Sequence, residues 1–381
     1  MLTRRRWLII TTLFACLLAA IQSPSRAADE AQKKDDTAKK YEQMVDRAIA
    51  FLATKGQAEN GSFSANQGPA VTALIATAVL RHGRSPEDPL VAKAIKFVEK
   101  FVHSDGGIYE GAYNRNYETC IAMLMFEEAN RNGRYDALLK KAEDYVKANQ
   151  WGPTHVKERE TPVGDAKFGG AGYGRNNDRP DLSNTSFFLD ALKAVGNDYN
   201  SEAVQRALIF VSRCQNLEGP DNTTPFAAKI NDGGFYYTPA GKGNSQAGED
   251  PATGGLRSYA SMTYAGLKSM IYAGLTPDDQ RVKAAIDWLK KHYDLNSNPG
   301  LGNKGLYYYY MTFAKALAAL GQDKFTDDKG IEHDWRKELI DALAARQREG
   351  GSWVNDNPLW IEGDANLATG YALLALSYCK K

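Results

Sequence analysis

From Tyr41 onward the apolar positions fall into two alternating helical patterns. The first pairs an Ala with an aromatic three residues on and an aliphatic four on, as in Ala48, Phe51 and Leu52, and again from Ala94, Ala142, Ala207 and Ala285. This spacing gathers the three side chains on one face and leaves the other polar, which predicts an amphipathic helix. A sixth copy, around Leu339 to Ala345, keeps the helix but lacks the aromatic, as terminal repeats often do. The second pattern is led by Thr72, Thr119, Thr185, Thr263, Thr312 and Thr369, with Ala76, Met123, Leu189, Leu267, Ala316 and Leu373 four residues later. Stretches such as Thr72 to Leu80 and Thr369 to Leu376 are apolar on nearly every face, so they must be covered on all sides. An outer layer of amphipathic helices around an inner layer of apolar ones satisfies both patterns. Six such pairs are enough to close a ring. The expected fold is therefore all-α, an α/α toroid of twelve helices over residues 41–381.

A glycine turn stands between the two helices of each unit. Gln57 to Phe63 and Gln347 to Trp353 share one layout: Gln, three spacers, Gly, one spacer and an aromatic. His103 to Tyr109 follows it with His in the Gln place, Gly107 and Tyr109. Weaker copies keep Gly234 with Tyr236 and Gly305 with Tyr307, and Gly169 to Tyr173 keeps the composition without the spacing. Turns recurring once per helix pair mark a repeat protein. Gly supplies the backbone angles of the turn, and the Gln amide is placed to tie backbone groups of a neighbouring unit, with the aromatic packed over it. Gln57, Gln347 and Trp353 are accordingly read as architectural. Two long insertions, Trp151 to Phe168 in the third unit and Leu217 to Lys229 with Thr238 to Gly255 in the fourth, are expected beside the mouth of the ring, because long loops on a rigid scaffold usually carry recognition.

The Gln-x-x-x-Gly-x-Trp turn followed by a Thr-led helix resembles the repeat of squalene cyclases and protein prenyltransferase β subunits, over roughly residues 41 to 379. The resemblance implies a toroid whose central cavity takes isoprenoids. It also implies where chemistry would sit. Cyclases carry a proton-donating Asp-x-Asp-Asp-Thr-Ala motif at the start of an inner helix, and the matching stretch here is Asp181-Leu182-Ser183-Asn184-Thr185-Ser186. The middle Asp is replaced by Ser183 and the next by Asn184, neither acidic enough to protonate an alkene. Prenyltransferases bind zinc through positions that align with Arg257, Tyr259 and Met311, none of which replaces the lost ligands. No metal and no cofactor is expected. Asp181 also reads as a helix cap.

The remaining candidates lie where the inner helices begin. Glu118, Asp181 and Asp364 are the candidate acids, since a carboxyl group that loses water becomes a proton donor. Tyr117, Arg257, Tyr259, Tyr307 and Tyr310 are the candidate ligand-binding residues, the tyrosine rings suited to apolar or cationic ligands. The alternative is that the run Tyr307 to Tyr310 simply packs between repeats. Three functions compete: an isoprenoid-binding cyclase-like or prenyltransferase-like protein, a binding or scaffold protein without chemistry, and a polysaccharide lyase. A wide apolar cavity capped by loops favours the first, a filled interior the second, and an open groove of Tyr, Arg and Asp the third.

The first 27 residues read as an address. Arg4, Arg5 and Arg6 precede the apolar run Trp7 to Ile21, and Ser25 to Ala28 offers a small-residue cleavage site. Thr3 to Leu8 also resembles a twin-arginine signal, though three arginines before an apolar run occur in ordinary signals too, which leaves both export routes open. Cys16 is followed by apolar residues, which argues against lipidation. The expected product is exported, periplasmic or extracellular, with residues 28–40 as a charged tail. No later apolar run reaches the roughly 18 residues a membrane span requires, which leaves peripheral membrane contact open. Of the 47 Lys and Arg, four arginines fall in residues 1–27, so the remainder is about three charges negative against 46 Asp and Glu. That balance gives nucleic acid no purchase. Cys120, Cys214 and Cys379 form neither an even set nor a Cys-x-x-Cys pair, so no disulfide framework is expected.

Overall fold

The computed structural model describes residues 24–174 and 179–380. Most of the stretch read as a signal peptide, residues 1–23, lies outside them. Thirteen α-helices and one small hairpin are present among the described residues: α1 (Pro24–Phe51), α2 (Pro69–Arg81), α3 (Pro89–Val98), α4 (Arg115–Glu128), α5 (Asp136–Ala148), α6 (Leu182–Ala194), α7 (Glu202–Arg213), α8 (Ala227–Ile230), α9 (Ala260–Tyr272), α10 (Gln280–Lys291), α11 (Leu306–Leu320), α12 (Trp335–Ala344) and α13 (Ala365–Ser377). Strands β1 (Phe325–Thr326) and β2 (Glu332–His333) pair antiparallel between α11 and α12. The charged residues 28–40 belong to the N-terminal part of α1.

The helices form two concentric rings. Inner helices pack in the order α2, α4, α6, α9, α11, α13 and back to α2. The outer helices α3, α5 and α7 each bridge two inner neighbours, α12 bridges α11 and α13, and α1 packs on α12 to close the outer circuit. Burial follows the sequence pattern. Every residue from Pro69 to Leu80 of α2 is buried, as is Leu367 to Leu376 of α13, whereas α3 and α10 bury one face only. Outer helices begin at Asp caps: Asp88 accepts from the Leu90 N–H, Asp279 from Arg281 and Asp334 from Lys337, satisfying donors that the first turn leaves free. This is the α/α toroid expected from the sequence.

The turns explain how one unit fixes the next. Gln57 Nε2 donates to Gly61 O within its own turn at 3.1 Å and to Leu90 O at the start of the next outer helix at 2.8 Å. Gln347 does the same with Gly351 O and Met44 O, both at 2.8 Å, and so joins the sixth unit to the first. The third and fourth units also possess this glutamine, as Gln150 (to Gly169 O and Ala203 O) and Gln215 (to Gly233 O and Arg281 O). The insertions separate it from its glycine in sequence, which hides the spacing. Two registers therefore need correction. The turn glycines of the second and fourth units are Gly106 and Gly233, one residue before Gly107 and Gly234, and the residues in the aromatic place are Ile108 and Phe235. Val102, not His103, takes the Gln place. The reason is steric: Gly61, Gly106, Gly169, Gly233 and Gly351 all have φ between 83° and 92° and lie against a carbonyl of the next outer helix. A Cβ at Gly169 would sit 1.8 Å from Arg206 O.

The leading threonine completes the joint. The backbone N–H of Phe63, Ile108, Ala171, Phe235 and Trp353 donates to the hydroxyl of Thr72, Thr119, Thr185, Thr263 and Thr369 at 2.9 to 3.1 Å. Each Thr thus sits inside its inner helix and pins the preceding turn. Thr312 in the fifth unit has no such bond and donates only to Tyr309 O in its own helix.

Candidate functional site

The first turns of all six inner helices converge on one cavity of about 250 Å³ on the ring axis. Five of them place the residue two before the pinning Thr on its wall: Ala70, Tyr117, Ser183, Ser261 and Leu367. In the fifth unit the equivalent position is Tyr310, yet Tyr308 faces the cavity instead. The cause is the altered turn. Gly305 caps α11 in a left-handed conformation (φ 62°, ψ 38°), and α11 starts with its N–H groups on a carboxylate from the sixth unit. Glu362 accepts from the Tyr308 N–H at 2.8 Å and the Tyr307 N–H at 3.2 Å, and from Asn355 Nδ2 at 2.7 Å. A negative charge at a helix N-terminus is favourable. Burial still pushes the Glu362 carboxyl upward against those hydrogen bonds.

The wall is dominated by phenol rings: Tyr117, Tyr173, Tyr237, Tyr259, Tyr308 and Tyr371, with Phe187 between them. Tyr117 meets Phe187 edge-on with centroids 5.5 Å apart, Phe187 meets Tyr308 at 6.2 Å, and Tyr308 meets Tyr371 edge-on at 5.9 Å. The Tyr308 hydroxyl hydrogen-bonds Ser183 Oγ at 2.9 Å. Tyr117 and Tyr371 share a hydrogen bond, and Tyr237 bonds Asp181. Burial pushes all of Tyr117, Tyr237, Tyr259, Tyr308 and Tyr371 well above the ordinary phenol range, so the hydroxyls stay neutral. Of the described residues lining the cavity, Glu362 is the one carboxyl group. A wall of neutral rings with a few hydroxyls and amides, Gln67, Asn114 and Gln246 among them, suits an apolar or cationic ligand held through ring faces.

At the mouth, Trp360 and Ile361 line the cavity while remaining 42% exposed, beside Leu359 at 43%. Both carry positive φ, 55° and 68°. For a β-branched residue such as Ile361 that is a strained conformation. The Trp360 ring lies on Gly305, where a Cβ would come within 2.9 Å of it. The insertions part company here. Gln246, from Thr238 to Gly255, reaches the cavity wall. Trp151 to Phe168 folds away from it, Trp151 lying under Arg159 and Lys167, and Leu217 to Asn222 borders a separate groove with Arg281.

Among the candidate residues, Tyr117 and Tyr259 line the cavity. Tyr307 and Tyr310 do not: Tyr310 points its hydroxyl to Leu295 O and Tyr307 to Val354 O, so both pack between units, and Tyr308 takes the lining role. Arg257 is exposed, 3.9 Å from Asp250. Asp181 caps α6, accepting from the Asn184 N–H and its Nδ2. Asp364 caps α13 and receives the Ser64 hydroxyl at 2.6 Å. Glu118 is buried behind the wall, accepts from the Glu110 N–H at 2.6 Å and is pushed up to about 7 by burial. Sequence reasoning missed Tyr173, Phe187, Tyr237, Gln246, Trp360 and Tyr371. Phe187 and Tyr371 were legible, since each lies two residues after its pinning Thr. Cys120, Cys214 and Cys379 are free thiols in the core, and no helix of the described residues is long and apolar enough to cross a membrane.

No protein-family profile and no curated protein sequence matches this chain. Solved structures do. A variant of the type II terpene cyclase MstE from Scytonema, in complex with its substrate geranylgeranyl dihydroxybenzoate, aligns with a TM-score of 0.52 at 14% identity, over 90% of this chain and 98% of that one. Another MstE variant, holding the product merosterolic acid A, gives 0.51 at 13% over 90% and 98%. A protein from Actinoplanes gives 0.51 at 14% over 89% and 99%. The chain therefore has a terpenoid-cyclase-like α/α fold.

Proposed function

We propose that this chain takes an isoprenoid or similarly apolar small molecule into its tyrosine-lined cavity. The observation that carries the reading is the wall itself: six phenol rings and Phe187 around about 250 Å³ on the axis of a closed ring. The structural neighbours that bind a geranylgeranyl substrate and its cyclised product support the ligand class. Binding rather than protonation is the favoured activity, because Ser183 and Asn184 stand where a cyclase would carry acids and Asp181 is spent on capping. The lining argues against a polysaccharide groove, since its described residues include neither Arg nor Asp. An interior that side chains leave open over about 250 Å³ argues against a filled scaffold.

The same reading places the protein outside the cytoplasm, on the strength of Arg4 to Arg6 and the apolar run after them. The test is native mass spectrometry of the purified mature chain. A co-purifying lipid, or a shift on adding farnesol, is expected, together with an N-terminus near Ala28. A chain that stays empty and binds no polyprenyl compound sinks the proposal.

A further inference from the structure

Between α6, α9 and α11, next to the cavity, lies a buried charge cluster that the binding reading leaves unused. Lys268 of α9 donates to Asp190 Oδ1 at 2.6 Å and to Ser186 O at 2.8 Å, and Lys315 of α11 donates to Asp190 Oδ2 at 2.6 Å. All three residues are under one-tenth exposed. Two ammonium groups can donate six hydrogen bonds, and these make three. Two cations also share one carboxylate. The other ionisable groups near them do not restore the balance: Arg81 is paired with Glu128 at 2.5 Å, while burial pushes Tyr272 and Cys120 upward and keeps them neutral. One positive charge is thus in excess inside the protein, where an unpaired ion is costly.

The cluster borders a chamber of about 10 Å³, which shares Phe187 and Tyr308 with the cavity. Lys315 Nζ lies 6.0 Å from the centre of the Phe187 ring. The surplus cation and the unused donors therefore sit just behind the aromatic wall. Space for about one water-sized atom admits a single oxygen of an acid group and excludes a diphosphate.

We propose that the ligand of this cavity carries a carboxylate, received past the Phe187 and Tyr308 rings by Lys315 with Lys268 behind it. The inference rests on the isoprenoid-binding reading and narrows it to isoprenoid acids. Its neutral chain lies among the tyrosines, and its charged end completes the deficient ion cluster after a rotation of Phe187.

The experiment titrates the full chain by calorimetry with farnesol, farnesoic acid and farnesyl diphosphate. The acid is expected to bind at least roughly tenfold tighter than the alcohol, the worth of a charge-assisted hydrogen bond. Lys315→Met is expected to bring the acid down to the alcohol's affinity, and Lys315→Arg to keep the preference. If the Met variant fails to fold by circular dichroism, the wild-type pH profile decides. Burial pushes Lys268 down to about 8, so the acid's advantage must shrink above that pH as the cluster loses its net charge. Equal affinity for acid and alcohol, or strongest binding by the diphosphate, overturns the carboxylate assignment and leaves the binding function standing. Failure of all three ligands overturns both.

Discussion

The fifth unit differs from the other five, and the difference lies where the cavity is built. In the regular units a left-handed glycine lies on the next outer helix and the pinning Thr holds the turn's backbone N–H. In the fifth, Thr312 makes no such bond, Gly305 instead caps α11, and Glu362 from the neighbouring unit holds the helix start. The regular joints fix the ring. The irregular one brings Tyr308, Glu362 and Trp360 to the mouth. A toroid closes with five joints that share the glycine and the pinning Thr and can give the sixth to a site, because inner-helix packing and the neighbouring unit hold α11 in place.

The largest expected effect that separates the two kinds of joint is at the glycines. Gly169→Ala forces a Cβ against a helix carbonyl at 1.8 Å as well as a positive φ, and is expected to cost ~3 kcal/mol or more. Gly305→Ala meets only the Trp360 ring, which moves, so ~1 kcal/mol is expected, along with a change in Trp360 fluorescence. Urea unfolding of both variants measures the gap, and equal losses would erase the distinction.

A smaller effect is expected at the threonines. Thr263→Val strands the buried Phe235 N–H and should cost ~1–2 kcal/mol, whereas Thr312→Val loses only a bond local to its own helix and should cost ~0.5 kcal/mol. A Thr312 variant as damaging as the Thr263 variant would show that the fifth joint is pinned after all.

A pH-dependent effect compares two carboxyl groups that both accept from backbone N–H groups, Glu362 at the irregular joint and Glu118 at a regular one. Glu118 is pushed up to about 7 from 4.5. A raised folded value favours the protonated folded state, so its contribution is fully present below pH 4.5 and is lost as pH rises toward 7. Wild type should lose stability across that window, by up to ~3 kcal/mol, and Glu118→Gln should flatten the profile. An unchanged slope in the variant would assign the pH dependence elsewhere.

Much of this molecule was readable before folding. The Ala-aromatic-aliphatic and Thr-led patterns identified the outer and inner helices, because period and burial are local consequences of residue order. The Gln-Gly turn gave the joints wherever Gln and Gly are four residues apart. Gln150 and Gln215 escaped because insertions of the chain lie between partners that meet only in space. Tyr307 and Tyr310 were named and Tyr308 was not; the other five units place the residue two before Thr on the wall, but α11 begins differently and brings Tyr308 there instead.

What the sequence alone determined was the closed ring of helix pairs: repeated apolar faces can be buried only against copies of themselves, and six copies close. What only the tertiary structure decided was the site. Which ring of a tyrosine run faces the axis, that Glu362 holds another unit's helix, and that Lys268 and Lys315 meet on Asp190 all depend on residues 54 to 125 positions apart in the chain. Periodicity constrains which face of a helix is buried, while the rotation of that helix against its neighbours is set by packing across the ring.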